Sequence, residues 1–133
     1  MIGVIAGNFD VIHPGYIKMF NDMKKHVDEI YILLHIDPSI DRPEKIKPIV
    51  SVKDRKMTLL ALKGVSMVFS YSSENDLRNL IVKIKPDVRF LGDDYKGRTD
   101  YTGWGLPPKI IFLSRSHGWS TTKFKKLIAN SIQ

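Results

Sequence analysis

IGVIAGNFDVIHPGY, residues 2–16, is the stretch from which the fold can be read. Ile2 to Ala6 form a short apolar run closed by Gly7-Asn8, the pattern of a buried strand running into a turn. Pro14 then suits a first helical turn, where its missing N–H costs nothing. Beyond it Ile17, Phe20, Met23 and Val27 recur at helical spacing and predict an apolar stripe. His13 and Tyr16 lie three apart across that helix start, so both can aim at one point. Helix N-termini attract phosphates through their free N–H groups and dipole.

The rest of the chain repeats the alternation. Strands are expected at Ile30–His35, Val65–Ser70, Val88–Leu91 and Lys109–Leu113. A loop with three prolines is expected from Ile36 to Val50. Ser51 with Asp54 is a capping-box candidate for a helix that carries Met57, Leu60 and Ala61 on one side and ends near Gly64. Leu77, Leu80, Ile81 and Ile84 mark a third helix that stops before Pro86. The long loop GDDYKGRTDYTGWGLPP separates the last two strands, and Phe124, Leu127, Ile128 and Ile132 line a final helix. Alternating strands and helices argue for a parallel sheet with right-handed crossovers. Ligands of such sheets sit beyond the carboxyl ends of the strands, near the topological switch point.

With 133 residues, one domain over 1–133 is expected. The net charge of +7 suits an anionic partner. No basic-helix or stacked-aromatic motif supports nucleic acid. There are no cysteines, which excludes disulfides, thiolate zinc sites and a cysteine nucleophile. Without a basic n-region ahead of an apolar core, and without a bilayer-length apolar run, a cytoplasmic protein with no membrane partner is expected. Lys24, Lys25, Lys125 and Lys126 read as solvated helix faces.

Four segments, in order, carry a family resemblance. GNFDVIHPGY resembles the GxFDxxHxGH segment of the cytidylyltransferase-like nucleotidyltransferases. KDRK, residues 53–56, resembles their arginine-bearing helix start. FLGDDYKGRTD and RSHGWSTTKFK resemble the GDDW-type loop and the RTEGISTTKIK segment of the glycerol-3-phosphate cytidylyltransferase branch. The resemblance implies a Rossmann-like three-layer α/β sandwich with a five-stranded parallel sheet, the HxGH nucleotidyltransferase fold. It also implies CMP transfer from CTP to a phosphorylated small acceptor, a homodimer, and Mg²⁺ arriving with the nucleotide rather than held by a metal site of the chain.

Residue by residue, the resemblance assigns catalytic roles to His13, Tyr16, Lys45 and Arg115, with Lys47 as the alternative loop lysine. It places Gly7, Asn8, Phe9, His13, Tyr16, Gly92 and Asp94 at the nucleotide, together with Arg115, Gly118, Trp119, Ser120 and Thr121. Asp10, Asp37 and Arg55 are expected at the acceptor. The residues themselves support part of this: three hydroxyls at a helix start, with Arg115 and Lys123 nearby, exceed what a cap needs and suit an anion.

The sequence departs from the family at three informative places. Tyr16 stands where relatives carry the second motif histidine, and a phenol is a donor without charge at neutral pH. His117 replaces the acidic residue of RTEG, and GTFD reads GNFD. A heptose-type sugar-phosphate branch, suggested by Asp41-Arg42-Pro43, and a binding module without activity are the competing expectations.

Overall fold

The computed structural model describes residues 1–132. Five strands form one sheet: β1 (Ile2–Gly7), β2 (Glu29–His35), β3 (Val65–Tyr71), β4 (Val88–Gly92) and β5 (Lys109–Leu113). All neighbours pair in parallel, in the order β3-β2-β1-β4-β5. The helices are α1 (Pro14–Met23), α2 (Val52–Leu60), α3 (Glu74–Ile84) and α4 (Thr121–Ser131), and a 3₁₀ turn spans Asp93–Tyr95. This is the expected Rossmann-like α/β architecture.

Strand side chains alternate between faces, so a sheet buried on both sides needs two cores. On β1, Val4 enters one core and Ile5 the other; on β2, Leu33 faces one way while Ile32 and Leu34 face the opposite way. Phe20 and Met23 of α1 and Leu59 of α2 fill the first core, and Leu77 and Ile81 of α3 fill the second. Each such side chain, taken fully out of water, contributes about 1.5–3 kcal/mol. The chain builds outward from β1 to β3, then crosses back to β4 on the far side of β1. The switch point therefore lies between β1 and β4, where β1 ends in Gly7-Asn8.

The helix faces differ from the periodicity in three places. In α1, Phe20 and Met23 are buried, but Ile17 is 39% exposed, and the helix ends before Val27. In α2, Met57 and Leu60 face solvent; the inward residues are Arg55 and Leu59, four apart on one face. A charged residue defines the inner stripe there, so an apolar count picks the wrong side. In α4, Leu127, Ile128 and Ile132 are exposed and no residue is fully buried. That helix lies over the edge of the site rather than on the sheet. Of the Ser51–Asp54 capping-box candidate the cap bond is present, Ser51 Oγ accepting from Asp54 N, whereas the full capping box stands at Ser73 and Asp76 of α3, a pair the sequence reading did not mark.

Two buried charges tie the loops to the strand ends. Arg55 donates from Nε to the Val50 carbonyl, from Nη1 to Asn8 and His35, and from Nη2 to Ile36. Asp10, 3% exposed, accepts from the backbone N–H groups of Ile49 and Val50 and from Lys125 Nζ. Lys125 is therefore no solvated helix face: its side chain is 18% exposed and it pins α4 to the end of β1.

Burial acts to raise the Asp10 pKa, but the bonds from Lys125, Ile49 and Val50 outweigh it and hold the carboxyl below its ordinary value. Its stabilisation is thus complete above the unfolded value of about pH 4 and is lost as pH falls through the lower folded value. Asp10→Ala leaves Lys125 and two N–H groups without their acceptor and is expected to cost about 3 kcal/mol or more at pH 7. Urea unfolding should show that the gap between parent and Asp10→Asn narrows from pH 7 to pH 3. A constant gap would mean that the ionised carboxylate does not hold these elements.

Candidate active site

Gly7, His35, Tyr71, Gly92 and Leu113 are the last residues of the five strands, and all five line one cleft of about 690 Å³. The cleft thus opens at the carboxyl edge of the sheet, across the switch point. Its floor at β1 is held by an unusual backbone: Phe9 has φ 45°, in the left-handed region, with its ring buried against Tyr16 and Phe20.

His13 is the N-cap of α1. Its Nδ1 accepts from Gly15 N at 3.1 Å, which leaves Nε2 to carry the proton in the neutral ring. Nε2 lies 3.2 Å from Thr121 Oγ1. The Tyr16 hydroxyl is 2.7 Å from the same Thr121 oxygen. Two side chains of the first helix start thus converge on the first residue of the last helix, across more than a hundred positions of chain. The His13 ring stacks on Tyr16 at 4.4 Å and on Trp119 at 5.5 Å. Gly15 makes this approach possible: a Cβ there would stand 2.6 Å from Trp119 Cβ and 2.8 Å from the His13 ring.

The electrostatics favour neutral donors at this point. Burial, and then the neighbouring His117, push the His13 pKa below its ordinary value. Burial raises the Tyr16 pKa, against the pull of Thr121 and Arg115, so it stays a phenol at neutral pH. Charge is supplied from the rim. Arg115 pairs loosely with Asp94 at 3.6 Å, and both side chains are more than half exposed. At the start of α4, Ser120 caps Lys123 N at 3.1 Å, leaving other first-turn N–H groups of the helix free for an anion.

The cleft gathers most of the residues expected at the nucleotide. Gly7, Asn8, Phe9, His13, Tyr16 and Gly92 line it, as do Arg115, Trp119, Ser120 and Thr121. Lys45 reaches the wall and Lys47 does not line it. Gly118 and Asp94 stand just outside the lining, Gly118 in a left-handed turn at φ 76° and Asp94 beside Arg115. The residues expected at the acceptor lie outside the lining of the cleft. Asp10 and Arg55 are buried, and their acceptors and donors are spent on backbone and Lys125, so they position loops instead of facing the cleft. Asp37 folds onto its own turn, accepting from Ser39 N and Ser39 Oγ, and does not line the cleft. On the α3 side the cleft shows Arg42, from the Asp41-Arg42-Pro43 stretch, and four residues that no motif marked: Tyr71, Glu74, Arg89 and Tyr101. Of those four, Arg89 alone had a signal in the sequence, a charge inside the apolar strand VRFLG.

A parallel sheet with a polar, helix-capped cleft at its switch point defines a phosphate-binding α/β protein of the nucleotide-handling kind. The chain belongs to the cytidylyltransferase-like family, whose model matches residues 4–126. It is similar to the FAD synthase of Archaeoglobus profundus, 35% identical over 142 aligned positions that cover 100% of this chain and 90% of that protein. It is also similar to the bifunctional protein HldE of Campylobacter concisus, 33% identical over 126 positions. That match covers 94% of this chain and 26% of HldE, so the chain spans about a quarter of the HldE proteins it matches. Among solved structures, the lipopolysaccharide core biosynthesis protein of Thermoplasma volcanium superposes with a TM-score of 0.70 at 27% identity, covering 86% of this chain and 96% of that one. Pantothenate synthetase of Thermus thermophilus, at 12% identity and a TM-score of 0.61 over 94% of this chain and 64% of that one, shares the fold alone.

The bond from Gly15 N fixes the His13 tautomer. Long-range ¹H–¹⁵N spectra of the parent at pH 7 should show Nε2 protonated and Nδ1 bare, with titration below the ordinary histidine value of about 6.5. A ring protonated on Nδ1, or one titrating above that value, would contradict this geometry.

Proposed function

We propose that the chain transfers a nucleoside monophosphate from a nucleoside triphosphate to a phosphorylated small molecule, with CTP as the donor. The observation that carries this is the meeting of His13 Nε2, the Tyr16 hydroxyl and Thr121 Oγ1 at the start of α4, beside Arg115. These are donors arranged around one point, with no acid–base pair among them. Nucleotidyl transfer asks for this. An oxygen of the acceptor phosphate forms a bond to the α-phosphorus, and the bond to the leaving pyrophosphate breaks. The attacking oxygen is already ionised, so no proton has to be removed. The protein's contribution is to hold the groups in line and meet the charge that grows on the α-phosphate oxygens.

The residues divide that work. His13 and Tyr16 offer uncharged hydrogen bonds to the α-phosphate from a fixed helix start. Thr121, Ser120 and the first turn of α4 cradle the phosphates. Arg115 exchanges its loose contact with Asp94 for phosphate oxygen, and Lys45 approaches from the opposite wall. Among the described residues no three His, Asp or Glu side chains converge as metal ligands. The residues therefore suit Mg²⁺ carried on the triphosphate, where it would offset phosphate charge.

The choice of CTP rests on the likeness of Arg115–Lys125 to the cytidylyltransferase segment. A second reading, adenylyl transfer from ATP, is favoured by the match along the whole chain to a protein named for making FAD, an adenine nucleotide. Calorimetry with the four triphosphates separates the two. CTP is expected to bind tightest, and a preference of about tenfold, ~1.4 kcal/mol, for ATP would transfer the assignment to adenylyl chemistry. With the preferred triphosphate and a panel of phosphorylated acceptors, pyrophosphate release should fall about 10²–10³-fold in His13→Ala and Arg115→Ala. Tyr16→Phe should also be slower, because it loses the phenolic donor, whereas Tyr16→His should keep or raise turnover. Unchanged rates in all of these variants would put the chemistry elsewhere.

A further inference from the structure

The α3 side of the cleft contains a charge that the phosphate side does not use. Arg89 lies on β4, 4% exposed, with its guanidinium under the loop that follows the 3₁₀ turn. Its Nη1 donates to the Thr102 carbonyl, and the Tyr101 ring covers it at 5.4 Å. That is the only hydrogen bond it makes among the described residues. Every wholly buried side-chain nitrogen or oxygen among those residues has a partner. Arg89 Nε and Nη2 have no hydrogen-bond partner among the described residues, and Arg89 is one of the residues that line the cleft.

The carboxylate in this lobe is already engaged. Glu74 Oε2 accepts from Thr102 Oγ1 at 2.6 Å, and Oε1 faces Arg42 Nη2 at 3.8 Å. Tyr71, whose ring stacks on His35 at 4.6 Å, and Tyr95 are further neighbours. The lobe thus holds a guanidinium among aromatic rings whose Nε and Nη2 make no hydrogen bond, and the one carboxylate near enough to act on its charge, Glu74, is bonded to Thr102 instead. Arg98 shows in the same protein what an Nε–Nη2 edge takes: its Nε and Nη2 hold both Asp100 oxygens, at 2.8 and 2.9 Å. Burial lowers the Arg89 pKa from its ordinary value, yet a guanidinium stays charged, so a desolvated charge is left waiting for an anion.

We infer that Arg89 is a specificity-determining residue that binds a second anionic group of the acceptor, a carboxylate or a further phosphate, distant from the phosphate that attacks. This rests on the nucleotidyl-transfer reading, in which the triphosphate occupies the His13–Thr121 side and the nucleoside lies toward Asp94 and Arg115. The acceptor then fills the lobe between Tyr71, Glu74 and Arg89. A neutral polyol phosphate would leave the guanidinium edge unmatched. An acceptor with two anionic ends satisfies it in the plane that Tyr101 leaves open.

Three probes of similar length test this: 3-phosphoglycerate for a carboxylate, 1,3-propanediol bisphosphate for a phosphate, and glycerol 3-phosphate as the neutral-ended control. The readout is the Arg89 Nε–H resonance in ¹H–¹⁵N spectra, assigned by its loss in Arg89→Lys, with CTP and Mg²⁺ present. At least one bis-anion should move that resonance and bind about tenfold more tightly than glycerol 3-phosphate, ~1.4 kcal/mol. Which of the two does so identifies the group. In Arg89→Lys, which keeps the charge but loses the fork, the gap should shrink severalfold, while thermal melting reports whether the fold survives. If Arg89→Lys does not fold, the affinities of the parent for the three probes decide. Equal affinities for all three probes in the parent, a resonance that none of them moves, or a gap that persists in a folded Arg89→Lys would make Arg89 a tether for the Thr102 loop and overturn the inference. The two readings fail separately. Pyrophosphate release with no selectivity for bis-anions removes this inference alone. An Arg89 response without pyrophosphate release from any triphosphate removes the transfer reaction and leaves the anion site.

Discussion

A carboxylate taken out of water must be met by the protein, and Asp10 is met from two sides. Backbone N–H groups of Ile49 and Val50 reach it from the loop before α2, and Lys125 reaches it from α4. The rest of the site follows from that contact. Asp10 follows directly on the end of β1, so whatever it binds is brought to the switch point. Lys125 lies one helical turn beyond Thr121, so pinning it sets the start of α4 against His13 and Tyr16. Arg55 completes the arrangement by collecting carbonyls from Asn8, His35, Ile36 and Val50. Buried pairs of this kind add little net stability compared with apolar packing, but losing one partner is costly. Here they fix where three separate segments meet.

The cleft separates two kinds of polar group. Near the point where His13 and Tyr16 converge, the donors are uncharged, held so by burial. Around it the rim is cationic, with Arg115 after β5 and Arg42 and Lys45 together on the loop before α2. Fixed neutral donors can meet growing charge without first reorganising, and a cationic rim favours anions. Tyr16 fits that division. Where the resemblance to the HxGH motif leads one to expect a histidine, this chain has a phenol whose hydroxyl shares Thr121 with His13. The substitution keeps a donor and gives up the option of a positive charge.

Much of the fold was legible in the residues because parallel strands buried on both faces are short apolar runs, and Gly7-Asn8, Ser51 and Pro86 punctuate them. All five strands fall within a residue or so of where those runs lie. Helix faces were less legible. α2 turns Arg55 inward and Met57 outward, and α4 leaves Leu127 and Ile128 in solvent, because polar contacts at the sheet edge decided those orientations ahead of apolar area. Periodicity counts only apolar residues and does not register an arginine whose partners are carbonyls of other segments.

The sequence by itself determined the alternation of strand and helix, the glycine-bounded turn after β1, the hydroxyl-rich start of the last helix, and the family to which these motifs point. These are local matters of side-chain period, cap chemistry and backbone freedom, and they leave a trace within a few residues. The tertiary structure decided which charges face the cleft. Asp10 and Arg55 look like ligand-binding residues in their motifs, yet they are spent on the chain's own backbone. Arg89 looks like an interruption of a strand, yet it lines the cleft with one guanidinium hydrogen bond, to Thr102. The reason is physical: a charged side chain is satisfied by whatever lies within hydrogen-bonding reach, and that is set by segments forty or a hundred residues away.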